Sequence, residues 1–161
     1  MVDYYQWTNI EDLNTNKAPL ASPTFTGVPA APTASKGTNT TQLATTAFVM
    51  AATVPWVEVT GTSQQMAVNT AYLANNAAQV SLALPATADV KSIIRVAGSG
   101  AGGWKITQNA SQQIVFGGVV STVGTGGYMV SMSRYEYVEL ICIVANTVFS
   151  VIGATGNPDV V

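Results

Sequence analysis

From Trp56 onward, apolar and polar positions alternate in short runs rich in β-branched residues, and turn formers interrupt them roughly every 8 to 12 residues. The runs are "WVEVT", "QMAVN", "QVSLALP", "SIIRVAG", "WKITQ", "QIVFG", "YMVSM", "YVELICIV" and "TVFSVIG", separated by "GTS", "NN", "GSGAGG", "NAS", "GTGG" and "AN". This spacing predicts an all-β sandwich or barrel. Within "YVELICIV", Val138, Leu140, Cys142 and Val144 share one face, and Tyr137, Glu139, Ile141 and Ile143 the other. Both faces carry apolar groups, which predicts a central strand or one at a subunit contact.

The first third of the chain has a different pattern. Residues 1 to 13 are mixed and aromatic, with Tyr4, Tyr5 and Trp7 close together. Residues 14 to 39 contain Pro19, Pro23, Pro29 and Pro32. Each lacks an amide hydrogen and restrains its predecessor to extended conformations, so this zone is extended. Its few large apolar side chains, Leu20, Phe25 and Val28, cannot offset the entropy of ordering it as a monomer. It is a flexible linker, or copies from several chains wrap together. "TNTTQLATTAFVMAAT" favours the second: Asn39, Thr40 or Thr41 can cap a helix, and Leu43, Ala44, Ala47, Phe48 and Ala51 fall at helical spacing before Pro55. A helix from about Thr41 to Ala52 is marginal alone, and Val49 and Met50 place apolar groups outside its main stripe.

Composition sharpens this picture. The chain has 161 residues, enough for one domain of ordinary size with an appendage. Charged residues make up 9% against 48% hydrophobic, and the mean hydropathy is +0.30. That is little charge for a monomer's surface, which implies apolar area buried between subunits. The six basic residues, Lys17, Lys36, Lys91, Arg95, Lys105 and Arg134, are scattered and the net charge is −2, which argues against nucleic acid as a partner. The N-terminus lacks the basic and apolar regions of a secretory signal. The apolar stretch Val138 to Val151 is broken by Glu139, Asn146, Thr147 and Ser150, so no membrane insertion is expected.

Candidate chemistry is sparse. The chain has no His and one Cys, Cys142, inside an apolar run. Nucleophilic catalysis and metal binding ordinarily require more, so no metal site, cofactor or enzyme activity is expected. "GSGAGG" fits G-x-G-x-x-G at Gly98, Gly100 and Gly103, but a strand follows where a dinucleotide site needs a helix, and a glycine-rich hairpin loop is expected instead. Glu136 and Glu139 lie at odd spacing, which points them to opposite faces of a strand. Only a pairing across chains, for instance through Glu58 or Asp89, leaves a polysaccharide-cleaving site open. "NTT" at Asn39 and "NAS" at Asn109 fit the glycosylation acceptor pattern, a short pattern given no weight without a signal peptide. Candidate ligand-binding residues are Trp104, Lys105, Tyr128, Arg134, Tyr135 and Tyr137, because a planar donor fork beside aromatic rings suits a glycan or other polar surface target. Trp104 shares strand parity with Ile106, which points it toward the core rather than toward a sugar.

"KAPLASPTFTG", "PTA" and "GTNTTQLATTAFV" resemble the shaft and neck segments that recur in tailed-bacteriophage tail fibres. "LALPATADV", "GAGGWKITQNASQQIVFG" and "RYEYVELICIVANTVFSVIGATGN" resemble, less specifically, a C-terminal domain attached to such fibres and to fibre-like bacterial proteins. The resemblance implies an intertwined homotrimer with a receptor-binding head, and a virion tail fibre or a bacterial surface fibre as its place. It assigns Pro19 to Gly27 to the shaft, and Leu43, Ala47 and Phe48 to the trimer neck. The expected organisation is an extended arm and shaft over 1–39, a neck helix over 40–55 and a β-sandwich head over 56–161. The expected function is adhesion to a cell-surface target, a glycan, with a connector or assembly module as the structural rival. Full fibres often repeat the shaft unit, whereas one unit is present here.

Overall fold

A computed structural model describes residues 27–161 apart from Lys36. The expected arm and most of the shaft therefore lie outside the described residues. The chain divides into two units, Met1–Ala52 and Thr53–Val161.

In the first unit, residues 27–35 carry no helix or strand, as the restraints of Pro29 and Pro32 require. Helix α1 spans Thr46–Ala52, shorter than the expected Thr41 to Ala52. The reason is local: Thr45 Oγ1 accepts the Phe48 amide at 3.1 Å, and the Thr45 carbonyl accepts Val49 N at 3.1 Å. Thr45 is thus the N-cap, and a β-branched hydroxyl residue in that role starts the helix behind it. Phe48 is half-buried, while Ala47 is exposed and Leu43, Val49 and Met50 are 73%, 52% and 66% exposed.

The second unit is all β. Its strands are β1 (Trp56–Val59), β2 (Ser63–Gln65), β3 (Thr70–Ala74), β4 (Val80–Ala83), β5 (Ile93–Gly98), β6 (Trp104–Thr107), β7 (Gln113–Phe116), β8 (Val119–Val120), β9 (Tyr128–Val130), β10 (Tyr137–Val144), β11 (Val148–Thr155) and β12 (Asp159–Val160). They form a seven-stranded sheet, β1-β3-β5-β10-β11-β7-β8, and a five-stranded sheet, β12-β9-β6-β4-β2. Strand β10 lies between β5 and β11, so "YVELICIV" is central.

The order reveals a winding that strand spacing did not. Strands β1 to β6 alternate between the two sheets, and β1 to β4 each pair in parallel with the strand two places on. The chain therefore spirals through this half before closing with antiparallel pairs such as β5–β10 and β10–β11. Both sheets are mixed. One apolar cluster unites their buried faces: Tyr72, Ile94, Val96, Val138, Leu140, Cys142 and Phe149 from the larger sheet, and Val80, Leu82, Trp104, Ile106 and Met129 from the smaller. Burial pushes the Cys142 thiol pKa upward, in keeping with a small core hydrophobe.

The spiral corrects the reading of "GSGAGG". This loop joins β5 in one sheet to β6 in the other, so it is a crossover and not a hairpin. It lies on the backbone of the β3–β4 turn. Ser99 N and Gly100 N both donate to Ala74 O, at 2.8 and 3.0 Å, and Gly102 N donates to Asn76 O at 3.1 Å. A Cβ on Gly100 would stand 2.2 Å from Asn76 N, and one on Gly102 2.0 Å from Ala78 C. The glycines permit backbone to lie on backbone.

"QNASQQ" also does more than turn. Gln108 and Gln112 are buried. Gln108 Nε2 donates to the carbonyls of Gln112, Thr122 and Gly124 at 2.9 to 3.0 Å, and its Oε1 accepts the Ser121 hydroxyl. Gln112 Nε2 donates to Pro85 O and Asn146 O at 2.8 and 3.0 Å, and its Oε1 accepts Asn109 N and Nδ2. These amides satisfy loops that no strand reaches, and among the described residues no buried side-chain nitrogen or oxygen lacks a partner.

Two substitutions test this account. Gln112→Leu leaves the Asn109 amide and two carbonyls without partners and is expected to destabilise the fold by at least ~2 kcal/mol, read from the urea midpoint. Gly100→Ala is expected to cost about 1–3 kcal/mol by overpacking against Asn76; an unchanged midpoint would show that the crossover does not depend on backbone contact.

Candidate functional site

The segment joining β9 to β10, "SMSRYE" (131–136), is built around one buried carboxylate. Glu136 is 4% exposed. Its Oε2 accepts Met132 N at 2.8 Å and its Oε1 accepts Asn157 N at 3.0 Å, so each oxygen holds a different stretch of chain. Gly156, at φ 93°, makes room for it: a Cβ there would stand 2.3 Å from Glu136 Cγ. The Glu136 carbonyl accepts Gly98 N and the indole Nε1 of Trp104, both at 3.0 Å. Ser131 completes the anchor, its Oγ accepting Trp104 N at 2.8 Å and its amide donating to Trp104 O at 2.9 Å.

Between these anchors the chain displays what it does not bury. Tyr135 is 65% exposed and sits at φ 70°. For a bulky L-residue that is a strained conformation, costing roughly 1–2 kcal/mol. The guanidinium carbon of Arg134 lies 4.6 Å from the centroid of the Tyr135 ring, and Arg134 Nε donates to Ser99 O at 2.8 Å. Arginine stem, ring and glycine crossover hold one another at the surface, and Met132 is 64% exposed on the same segment.

The six residues proposed from sequence do not form one site. Trp104 is fully buried, so it cannot stack on a sugar; parity with Ile106 prevails, and its contribution is to the core and to the Glu136 anchor. Lys105 and Tyr128 lie on the outward face of the five-stranded sheet, with Nζ 3.6 Å from the ring centroid, a cation–π contact. Arg134 and Tyr135 form the loop pair. Tyr137 belongs to the outward face of the seven-stranded sheet, where its hydroxyl donates to Glu139 Oε2 at 3.2 Å.

Glu139 also accepts Arg95 at Oε1, from Nε at 3.0 Å and Nη2 at 2.9 Å. The hydrogen bond to Glu139 raises the Arg95 pKa. Burial, with the Glu139 charge second, raises that of Tyr137. Arg95 and Glu139 are direct cross-strand partners. Strand pairing decides that meeting, so sequence reading missed Arg95, and it missed Ser99 and the anchoring role of Glu136 for the same reason. The odd spacing of Glu136 and Glu139 was visible and does separate them: one is interior, the other on the outer face.

No family model matches the chain. A 42-residue stretch, 26% of the chain, is 62% identical to a protein described as "Probable tail fiber protein" from Escherichia phage P2. The chain spans about 6% of that relative's own length. Over that quarter of its sequence, the chain is related to a phage tail-fibre protein.

Proposed function

We propose that the chain is the receptor-binding tip of a trimeric, tail-fibre-like adhesin that recognises a cell-surface glycan, located on a virion tail. The observation that carries the reading is the Arg134–Tyr135 pair, an exposed ring held at φ 70° under an arginine. Strain of that kind persists where the surrounding structure over-determines it, and such residues cluster at ligand-binding sites. Aromatic rings beside hydrogen-bonding forks suit the mixed apolar and polar faces of a sugar.

Trimerisation is supported by apolar groups left uncovered in each unit. In the first, Leu43 before the helix and Val49 within it are exposed, and that helix of seven residues is too short to be stable alone. In the second, Trp56, Val119, Val120, Val123 and Ile152 are each more than half exposed. A second copy and a third would cover area that one chain cannot. Three heads would also bind a repetitive surface by avidity, so a weak individual site suffices. The relationship to a tail-fibre protein over part of the chain supports the same role.

Light scattering on the purified full chain is expected to give three times the 16.7 kDa chain mass, and a glycan array to show selective binding. Tyr135→Gly removes the ring and relieves the strain. It is expected to abolish array binding while leaving stability unchanged or raised by up to ~1 kcal/mol. Loss of stability with binding retained would assign Tyr135 to packing and defeat the adhesin site as described.

A further inference from the structure

The reading of this loop as a glycan site leaves the ligand's charge undetermined, and the state of Arg134 addresses it. Its Nε is committed to Ser99 O. That carbonyl is itself fixed, because the neighbouring amides of Ser99 and Gly100 converge on Ala74 O at 2.8 and 3.0 Å. The guanidinium carbon lies over the Tyr135 ring at 4.6 Å, and a Cβ on Gly98 would come within 3.6 Å of Tyr135 N, so the tyrosine backbone is seated on the end of β5. The two terminal nitrogens of Arg134 make no hydrogen bond or ion pair among the described residues.

The other described cations differ. Arg95 spends its fork on Glu139, and Lys105 stands over Tyr128 as a compact charge without a planar fork. Lys91 is exposed in a loop at φ 76° with no aromatic support. Arg134 is the one described cation whose planar donors are both oriented by fixed neighbours and left open. A guanidinium in that state matches the two oxygens of a carboxylate or phosphate ester, and its orientation removes much of the rotamer entropy that binding would otherwise cost.

We propose that the open fork of Arg134 receives an oxyanion of the ligand, so that the bound saccharide is acidic and carries a carboxylate or a phosphate monoester. The inference rests on the glycan reading above. With a net charge of −2 on the chain, there is no broad positive field to gather a polyanion. Recognition is local, of one anionic group beside a sugar ring packed on Tyr135.

The test uses the full chain on a glycan array of matched pairs that differ in a single group: a uronic acid against its carboxyl-reduced form, and a sugar phosphate monoester against the free hydroxyl. At least tenfold tighter binding of the acidic members is expected. Arg134→Lys, which keeps the charge and loses the fork, is expected to reduce that preference severalfold, with an unchanged urea midpoint showing the fold intact. The carboxylate and phosphate arms identify which anion is preferred. Equal binding of neutral and acidic members would overturn the proposal while leaving the glycan reading standing, as would an undiminished preference in Arg134→Lys. Binding to no member of the array would sink both.

Discussion

Much of the β unit depends on how Trp104 and Glu136 meet. The indole is fully buried, and removing its apolar surface from water stabilises the fold by on the order of 4 kcal/mol, but burial alone would strand its N–H. The Glu136 carbonyl accepts that N–H and the Gly98 amide, while the carboxylate of the same residue fixes Met132 and Asn157. One residue therefore joins the end of β5, the start of β6, the entry to β10 and the turn before β12. Because the tie is made inside, the surface loop beside it can hold a strained tyrosine and an open arginine without collapsing onto the sheet.

The second constraint is the need to satisfy loops in a fold wound between two sheets. Each crossing from one sheet to the other takes the backbone out of a ladder, and its amides and carbonyls must find partners elsewhere. Two devices answer this. At the 98–103 crossover, glycines let backbone hydrogen-bond backbone on the turn beneath. Around 108–124, buried glutamines bond carbonyls from several loop stretches at once, alongside direct backbone bonds such as Gly124 N to Gln112 O at 2.8 Å. Asn69 and Asn146 do similar work at positive φ, their Oδ1 atoms accepting Ile93 N and Ala88 N. Few charges are required for any of these, which is consistent with a chain so poor in them.

The division between the units bears on function. The β unit completes a core within one chain, while Ala47, Val49 and Met50 of the short helix are exposed. The geometry of the proposed site is set by intrachain contacts.

The sequence by itself determined the all-β character of residues after Trp56, because alternation in runs such as "SIIRVAG" and "YVELICIV" fixes which side chains share a face whatever the partners are. Parity with Ile106 pointed Trp104 toward the core without removing it from the candidate binders, and the apolar run around Cys142 marked it as a small buried hydrophobe. The sequence did not reveal β3, "TAYLA", whose alanines give little strand signal although it pairs on both sides. Nor did it reveal β8 and β12, two residues each. It placed "QMAVN" as a strand where β2 ends at Gln65 and Met66 enters the core. The helix began later than its apolar spacing implied, because a cap is chosen by one hydroxyl among several threonines. Only tertiary structure decided that β1 to β6 wind between sheets, that Arg95 meets Glu139, and that Arg134 and Tyr135 share a loop while Lys105 and Tyr128 lie on a sheet face. The physical reason is range: parity and propensity act over a few residues, whereas strand pairing and the satisfaction of buried polar groups join positions that the sequence keeps far apart.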